Sequence, residues 1–526
     1  MTGMSRRIGS VSMMLVAWLQ AGALAAAVTL SPSVEYQRID GFGGFGGMIA
    51  EYADGAQGSD VWVNLIANDL GLTIHRYFLN PNDLEPSNDN TNPLVTDLAR
   101  FNLAGRLGGQ MPLLAKLKAA GVNKFFFSLL SPPYWMKQGP FNATCYGGGD
   151  CSCCGGKLPS AMYDEFAEFC AAYVSLTKRE SGVDLYALSV QNEPRFSEPY
   201  PACVYAATEL RDAAKKVGAR LASEGLGATK LMVAEDVLST FGTLEGACMA
   251  DTACRKYIGV IGTHSYSDGG AGTIPTSQLA ALWGSAARRV ATVALPLWMT
   301  ETSGYENSWA GCLNMVQGLY AALKFGKVSG WVYYRLGGAS DALTENGQPT
   351  WLFYGCKQYF RYVRPDAVSV DIASDDADVL ALAFVHRSNR TLTVVLTNQG
   401  TSSKQITLSG EGLPSFAAYR TSGSERCASV GTVSGPGVTL PASSITTLYG
   451  TGYEPPATAA GPRPPAAGLG RATFRAQPCP VHVFALDGRR RIAAGEPGLA
   501  PGVYLDRNAG RTGSLVLVAG RDRREP

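Results

Sequence analysis

The spacing of hydrophobic residues along this chain changes at about residue 363. From about residue 35 to 362, short apolar runs alternate with longer segments in which apolar residues recur every three or four positions. This alternation is typical of repeated βα units, in which buried parallel strands alternate with amphipathic helices. Eight units favour a closed (β/α)₈ TIM barrel over residues 41–362 rather than an open doubly wound sheet. The eight predicted strands are the one ahead of Gly41 and the runs TIHRYFLN (73–80), KFFFSLL (124–130), DLYALSV (184–190), KLMVAED (230–236), YIGVIGTHSY (257–266), PLWMTE (296–301) and SGWVYYRL (329–336).

After residue 363 the apolar runs become shorter and are separated by Gly, Ser and Asn turns. This pattern predicts an appended antiparallel β-sandwich over 363–450. The Pro- and Ala-rich residues 451–470 read as an extended linker. Residues 471–526 are again β-like but too few to predict an independent domain. The predicted sandwich strands are VLALAFVHR, TLTVVLTN, KQITLSG and SSITTLYG.

Residues 1–27 have the features of a signal peptide. Arg6 and Arg7 precede an apolar run, and Ala-x-Ala patterns follow at 23–25 and 25–27. A membrane anchor is the alternative, but the apolar run is short and the cleavage pattern favours export. We therefore expect a secreted protein that is not inserted in a membrane after cleavage.

All 12 cysteines lie beyond that segment, so an exported chain is expected to pair most of them as disulfides. The densest group is Cys145, Cys151, Cys153 and Cys154. A zinc site there would require a second cysteine pair or suitably spaced histidines, and the four histidines are scattered, so disulfides are favoured over a metal. Cys248 with Cys254 is a further candidate pair.

The overall charge argues against a nucleic-acid partner, and the length indicates the number of domains. The 45 Lys and Arg residues nearly balance the 43 Asp and Glu residues, which gives a formal net charge of +2. A nucleic-acid-binding protein usually carries a basic excess to neutralise phosphates, so we expect no nucleic-acid partner. A chain of 526 residues is long enough for two to four domains with a substantial core.

Two glutamates fall at the ends of predicted barrel strands. Glu193 follows ALSVQN, and Glu301 follows LWMT. In a (β/α)₈ barrel, such positions project into one shared pocket. Hydrolysis of a glycosidic bond needs one carboxylic acid to protonate the leaving oxygen and a second, ionised group to attack or to activate water. A surface carboxylate or a helix cap is the alternative for either residue taken alone.

Five short sequence motifs carry a resemblance to a known enzyme family. SVQNEP (189–194), WMTETSG (298–304), DGFGGFGG (40–47), SPPYWMK (131–137) and GTHSY (262–266) together resemble glycoside hydrolase family 30 of clan A. The likeness spans about residues 34–450. It implies that Glu193 is the acid/base and Glu301 the nucleophile of a retaining enzyme. It also implies that residues 28–40 supply an N-terminal strand to the β-sandwich.

The resemblance adds candidate substrate-binding residues. Asn192 resembles the residue that hydrogen-bonds the sugar 2-hydroxyl, and Arg76 the arginine that keeps the nucleophile ionised. Tyr266 is placed to hold the nucleophile, and His264 lies two residues before it on the same strand face. The last two candidates are tryptophans that could stack on a sugar ring or pack in the core: Trp135 and Trp331.

The substrate is less clearly indicated. Family 30 includes endo-xylanases, β-1,6-glucanases, β-1,6-galactanases and glucosylceramidases. SPPYWMK, GTHSY and NEPRFSEPYPACVY look nearest the bacterial endo-xylanase branch, which favours xylan as the polysaccharide partner. Arg335 could bind a glucuronic acid side group, although its surroundings depart from that branch's pattern. The insertion at 141–157 also departs from it, and a non-catalytic carbohydrate-binding protein remains the alternative from another class.

Two further strings bear on cofactors and location. Gly41, Gly43 and Gly46 fit the dinucleotide pattern GxGxxG, but no acidic strand end follows, so we predict no cofactor and no metal.

GVYLDR followed by SLVLVAG resembles C-terminal sorting modules of Gram-negative secreted enzymes. This predicts contact with secretion machinery and a cell-surface location if the segment is an anchor signal; a carbohydrate-binding appendage or an inert tail is the alternative. We expect a monomer.

Overall fold

The computed structural model describes residues 25–46, 57–78, 81–102, 106–145, 151–266, 276–338 and 341–455, together with four short strands between 482 and 518. The predicted signal peptide therefore lies almost wholly outside the described residues. So do most of the predicted linker and the C-terminal module, of which only the backbone of two strand pairs is described. Among the described residues, no helix combines the length and the hydropathy needed to cross a lipid bilayer.

The first strand, β1 (Ala26–Arg38), belongs to a separate sheet, and eight of the strands that follow it close into a parallel barrel. Around the barrel the order is β8-β9-β2-β3-β4-β5-β6-β7, so all neighbours are consecutive in sequence except β9 and β2, which close the barrel. This confirms the predicted (β/α)₈ barrel. The barrel strands are β2 (Gly41–Phe45), β3 (Ile74–Tyr77), β4 (Lys124–Ser128), β5 (Ala187–Ser189), β6 (Lys230–Val237), β7 (Ile258–His264), β8 (Leu297–Glu301) and β9 (Gly330–Tyr333).

The glycine-rich strand β2 corrects the predicted start of the barrel. The strand ahead of Gly41 is β1, which lies in the other sheet, and the glycines themselves form the first barrel strand. A Cβ on Gly43 would lie 2.2 Å from the carbonyl oxygen of Ile74, and one on Gly44 would lie 2.3 Å from Leu336. Because these positions have no side chain, β2 can approach its neighbours this closely.

Two apolar layers hold the barrel together. Its interior is filled by one inward-facing residue from most strands, including Phe126, Trp298 and Val332. Trp298 stacks on Tyr186 and donates its indole N–H to Asp40 at 3.0 Å. A larger core lies between the strands and the surrounding helices. The described helices are α1 (Asp60–Asn64), α2 (Pro81–Leu84), α3 (Arg106–Ala119), α4 (Tyr163–Ser181), α5 (Ala207–Ser223), α6 (Leu244–Ala250), α7 (Thr252–Arg255), α8 (Thr276–Ala291), α9 (Trp309–Lys324) and α10 (Trp351–Phe360).

The C-terminal sheet has nine strands in the order β15-β14-β17-β12-β11-β10-β1-β13-β16. Neighbours are antiparallel except β1 and β13, which are parallel. Asn398 on β12 donates to the carbonyl of Leu440 on edge strand β16, so the sheet folds back on itself around its own apolar core. Its remaining strands are β10 (Val368–Ser374), β11 (Val379–His386), β12 (Thr391–Asn398), β13 (Lys404–Ser409), β14 (Phe416–Ser422), β15 (Glu425–Val433), β16 (Gly437–Leu440) and β17 (Ser444–Thr451).

The described cysteines do not follow the prediction that most are paired. One disulfide joins Cys145 to Cys154, and eight other cysteines are free thiols. Cys248 and Cys254 are close enough to hydrogen-bond but are not joined. Seven of the eight thiols are buried, where cysteine packs as a small apolar side chain. The Cys151 side chain and Cys479 lie outside the described residues.

Candidate active site

The site lies at the C-terminal ends of the barrel strands. Glu301 is the last residue of β8 and His264 the last of β7, while Arg76 lies in β3. Glu193 follows β5 by four residues, and its φ of 45° aims it away from the extended path of the strand. Parallel strands bring these distant positions to one edge, as the sequence predicted.

Glu301 is held in its ionised form by its neighbours. Its Oε2 forms an ion pair with the Arg76 guanidinium, and its Oε1 accepts a hydrogen bond from the Tyr266 hydroxyl at 2.5 Å. Burial by itself opposes ionisation, but the positive charges of Arg76 and His264 and the Tyr266 bond hold the pKa of Glu301 below its usual range. The structure thus places Arg76 and Tyr266, both predicted as site residues, in contact with this carboxylate.

Glu193 has a different environment. Its Oε1 lies 2.7 Å from His264 Nδ1, and its Oε2 accepts a longer hydrogen bond, 3.4 Å, from the Tyr200 hydroxyl. No Arg or Lys pairs with this carboxyl among the described residues. The two glutamates thus differ in their cationic neighbours: Glu301 pairs with Arg76, whereas Glu193 contacts His264.

His264 lies between the two glutamates. The ring is fully buried; Nδ1 contacts Glu193, and Nε2 is 3.8 Å from Glu301 Oε2. Burial alone would lower the pKa of His264, but the surrounding carboxylates raise it to about 10. His264 is therefore a buried cation at neutral pH.

A third buried carboxylate, Glu235, was missed by sequence reasoning. It lies in β6 with its side chain fully buried, 2.9 Å from Arg76 Nη2 and 3.7 Å from His264 Nε2. Burial opposes its ionisation, yet the charge of Arg76 is the main cause that lowers its pKa to about 2. None of the motifs that resemble the family contains Glu235. Its only signal in the sequence is its position near the end of the predicted strand KLMVAED.

One oxygen of Glu193, one oxygen of Glu301 and one ring nitrogen of His264 lie within 4.8 Å of one another. Three such atoms could in principle bind a metal ion. However, the guanidinium of Arg76 already neutralises Glu301, and His264 is hydrogen-bonded to Glu193 as a cation. Proton transfer and ion pairing account for the arrangement better than metal coordination.

The three other predicted binding residues lie in different environments. Asn192 is buried in the site, and its Oδ1 accepts from Arg76 Nη2 at 2.7 Å. Trp135 is half-buried and donates its indole N–H to the carbonyl of Glu85 at 3.2 Å. Trp331 corrects the prediction: it is 2% exposed and packs on Phe360 in the layer outside the barrel, so it does not line the cleft.

The insertion at 141–157 supports the cleft wall. Asn142 donates to the carbonyl of Ser197, and the Ala202 N–H donates to the carbonyl of Cys153 at 3.1 Å. The segment that it contacts carries Tyr200, which bonds Glu193, and Glu198. Burial raises the pKa of Glu198 to about 7, and the charges of Glu193 and Glu301 add to this effect.

Arg335, the predicted glucuronate ligand, lies beyond β9 with 9% of its surface exposed. Its guanidinium faces Asp341, with Nη2 3.4 Å from the carboxylate. The side chain is therefore largely buried and lies against an acidic neighbour.

Comparison with known proteins gives the following matches. No protein-family model matches this chain. The glucuronoxylanase XynC of Bacillus subtilis (strain 168) is 25% identical over 399 residues, covering 72% of this chain and 80% of that protein. The structure of the glycoside hydrolase family 30 subfamily 8 xylanase Xyn30A from Clostridium acetobutylicum superposes with a TM-score of 0.66 at 21% identity, covering 81% of this chain and 99% of that one. A GH30 endoxylanase from Clostridium papyrosolvens C71 gives 0.64 at 22% identity, covering 81% and 100%.

These matches confirm the predicted resemblance to glycoside hydrolase family 30 and to its xylanases. They also confirm the barrel with an appended β-sandwich. Taken with the paired glutamates, they identify the chain as an O-glycoside hydrolase.

Proposed function

We propose that this chain is a secreted retaining endo-β-glycosidase, with xylan as its leading substrate. The observation that carries the proposal is the approach of Glu193 and Glu301, which have carboxylate oxygens within 4.8 Å of each other. Retaining enzymes place their two carboxyl groups about 5 to 5.5 Å apart, whereas inverting enzymes leave about 6.5 to 9.5 Å for a water molecule. The shorter separation suits direct attack on the anomeric carbon.

In the first step, Glu301 attacks the anomeric carbon while Glu193 protonates the leaving oxygen. The Arg76 ion pair keeps Glu301 ionised and ready to attack. When Glu193 gives up its proton, the cationic His264 at 2.7 Å stabilises the carboxylate that forms. In the second step, Glu193 takes a proton from water, and that water releases the sugar from Glu301.

Asn192 suits a contact with the sugar. Because its Oδ1 accepts from Arg76, the amide is oriented with its N–H groups turned away from that guanidinium. A donor at this position could bind the 2-hydroxyl, a contact that strengthens as positive charge develops in the transition state. Trp135, in the loop after β4, is half-buried, so part of its ring is accessible for stacking on a sugar.

Proton NMR of the first-formed product tests the stereochemistry. Retention predicts that a β-linked substrate first releases the β-anomer. Initial release of the α-anomer would show inversion and remove Glu301 from the nucleophile role.

Two variants test the separate roles of the glutamates. Glu301→Gln should abolish turnover. Glu193→Ala should spare substrates with good leaving groups and allow added azide to capture the glycosyl-enzyme as a β-glycosyl azide. The outcome that contradicts the assignment is azide capture in the Glu301 variant instead.

The substrate is tested by mass spectrometry of products from glucuronoxylan, arabinoxylan, β-1,6-glucan, β-1,6-galactan and glucosylceramide. The similarity to the glucuronoxylanase XynC favours xylo-oligosaccharide ladders. Because Arg335 faces Asp341, we expect comparable activity with and without glucuronate side groups. Activity on β-1,6-glucan or glucosylceramide alone would overturn the choice of xylan.

Export is part of the proposal, and β1 suggests where the leader is removed. β1 begins at Ala26, and Ala26 and Ala27 pair with Ile406 and Thr407 on β13. Cleavage after Ala25, at the first Ala-x-Ala pattern, would keep these pairs. Mass spectrometry of the mature N-terminus should therefore find Ala26; a start at Val28 would support the boundary predicted from the second pattern.

A further inference from the structure

Lys137 is a buried lysine that joins two segments beside the site. It is 7% exposed, and its Nζ lies 2.8 Å from the carbonyl oxygen of Cys153, 2.9 Å from that of Gly155 and 2.7 Å from that of Ala202. An ammonium has three N–H donors, so each carbonyl can accept one of them. Cys153 and Gly155 belong to the insertion at 141–157, whereas Ala202 belongs to the loop between β5 and α5. Separating the two segments would leave a buried ammonium short of acceptors, so the lysine fastens one to the other.

That loop, residues 194–204, starts directly after Glu193 and returns to it. Its two ends meet, since the Tyr205 N–H donates to the carbonyl of Pro194 at 2.7 Å. From within the loop, the Tyr200 hydroxyl donates to Glu193 Oε2 at 3.4 Å. Burial, followed by the charge of Glu193, raises the pKa of Tyr200, so its hydroxyl keeps the proton that it donates. The position of the loop therefore sets the position of this hydroxyl against the carboxyl.

Other contacts hold the same loop against the insertion. The side chain of Asn142 donates to the carbonyl of Ser197, and the Val204 N–H donates to the carbonyl of Gly156 at 2.8 Å. A Cβ on Gly155 would lie 2.2 Å from Ser197 Oγ, so the insertion backbone lies directly against the loop. Packing this close leaves little room for either segment to move alone, and a shift of the insertion is transmitted to the loop.

We propose that Lys137 is a positioning residue for Glu193: it holds the insertion against the loop, and the loop holds the Tyr200 hydroxyl against the Glu193 carboxyl. This inference rests on the proposed role of Glu193 as the acid/base. A general acid must stay within hydrogen-bond reach of the leaving oxygen. A displacement of about 1 Å can cost about 100-fold in rate, so a residue that fixes the loop affects proton transfer without touching the substrate.

The test compares two substrates that differ only in the leaving group: the phenyl and dinitrophenyl β-xylobiosides, or the same pair on another sugar if another glycan proves to be the substrate. Phenol leaves only with protonation by the acid, whereas dinitrophenolate departs without it. Lys137→Met in the full-length protein should lower kcat/KM on the phenyl substrate by roughly 10- to 100-fold and change it on the dinitrophenyl substrate by less than about threefold. A partly unfolded enzyme loses both activities equally, so the ratio of the two values reports on the acid alone.

Tyr200→Phe removes only the hydroxyl and should change the ratio in the same direction. Lys324→Met is the matched control. Lys324 is a half-buried lysine that also donates to a backbone carbonyl, that of Ile372 at 2.6 Å, but it joins α9 to β10 of the sandwich. Its ratio should equal that of the parent. If Lys137→Met does not fold, Asn142→Ala, which removes a separate side-chain bond to the loop, replaces it in the same comparison.

Two outcomes would refute the inference: an unchanged ratio in Lys137→Met, or the same change of ratio in Lys324→Met. Glu193→Ala, measured on the same two substrates, separates this inference from the proposed function. A changed ratio in Glu193→Ala but not in Lys137→Met removes only the positioning role of Lys137. An unchanged ratio in Glu193→Ala removes the acid role of Glu193 as well.

Discussion

At the scale of single residues, Arg76 organises the site. Its fully buried guanidinium contacts Glu301, Glu235 and the side-chain oxygen of Asn192, and its Nε donates to Ser128 at 3.0 Å. One cation thus orients the proposed nucleophile and the residue next to the proposed acid. A buried arginine with two carboxylates tolerates the loss of either partner poorly, because a charge is then left uncompensated.

Glu235→Gln tests this dependence. The amide preserves the shape but cannot balance the charge of Arg76, so we expect the free energy of unfolding to fall by about 3 kcal/mol. Glu235 is also one of the carboxylates that raise the pKa of His264 to about 10. Its neutralisation should lower that pKa, so the alkaline limb of the pH profile of kcat should move to lower pH.

Glu245→Gln is the control for that measurement. Glu245 is also a buried glutamate, but it accepts a hydrogen bond from the backbone of Gly242 in another part of the fold. Its pH profile should match that of the parent. An unchanged alkaline limb in the Glu235 variant would mean that Glu235 supports the fold without tuning His264.

At the scale of elements, β2 illustrates how close contact constrains a strand. Its glycines are required because neighbouring backbone and side chains occupy the space that a Cβ would need. The strand lies between β9 and β3, so a shift of β2 would be transmitted to the strand that carries Arg76. Packing at this density leaves little room for relaxation.

Gly43→Ala should destabilise the protein by at least about 1 to 3 kcal/mol, the usual cost of overpacking, because the new methyl group meets the backbone of Ile74 rather than a movable side chain. Gly246→Ala is the contrasting variant: that glycine lies in α6 with nothing near its Cβ position, and alanine there should stabilise by up to about 1 kcal/mol. Urea denaturation followed by circular dichroism measures both. Equal and small effects would contradict the close packing of β2.

At the scale of the whole molecule, the apolar layer between the barrel strands and helices extends into one face of the sandwich. Leu382 and Phe384 of β11, Val395 of β12 and Ile445 of β17 belong to the same cluster as the residues between the barrel strands and helices. β1 at the N-terminus pairs with β10 after the barrel, so the sandwich needs both ends of the barrel. We therefore treat residues 26–455 as one folding unit.

Removal of residues 456–526 should leave turnover of soluble substrate unchanged, because the contacts described for Glu193 and Glu301 are made by residues of the barrel and its loops. The truncated protein should unfold in a single thermal transition at a Tm near that of the full chain. Calorimetry and kcat/KM on a soluble xylan check both points. A large loss of turnover would place the C-terminal segment against the catalytic unit.

The periodicity of the sequence was enough to predict the barrel, the sandwich and the meeting of Glu193 with Glu301. Apolar runs end where their strands end, and the ends of parallel strands share one edge, so these positions follow from order along the chain. The likeness of SVQNEP and WMTETSG to family 30 then indicated a role for each glutamate, and Arg76 and Tyr266 do contact Glu301 in the structure.

Only the tertiary structure could decide the rest. In β9, Val332 points into the barrel and Trp331 points out, because successive strand residues face opposite sides and a run that is apolar on both faces does not reveal which is which. Glu235 could be recognised only once β6 brought it to Arg76. The free thiols likewise became evident only in the fold, because cysteine spacing alone does not show which sulfurs pair. Periodicity determines where a residue falls along its strand, whereas the charge, burial and reach of its side chain depend on neighbours that are distant in sequence.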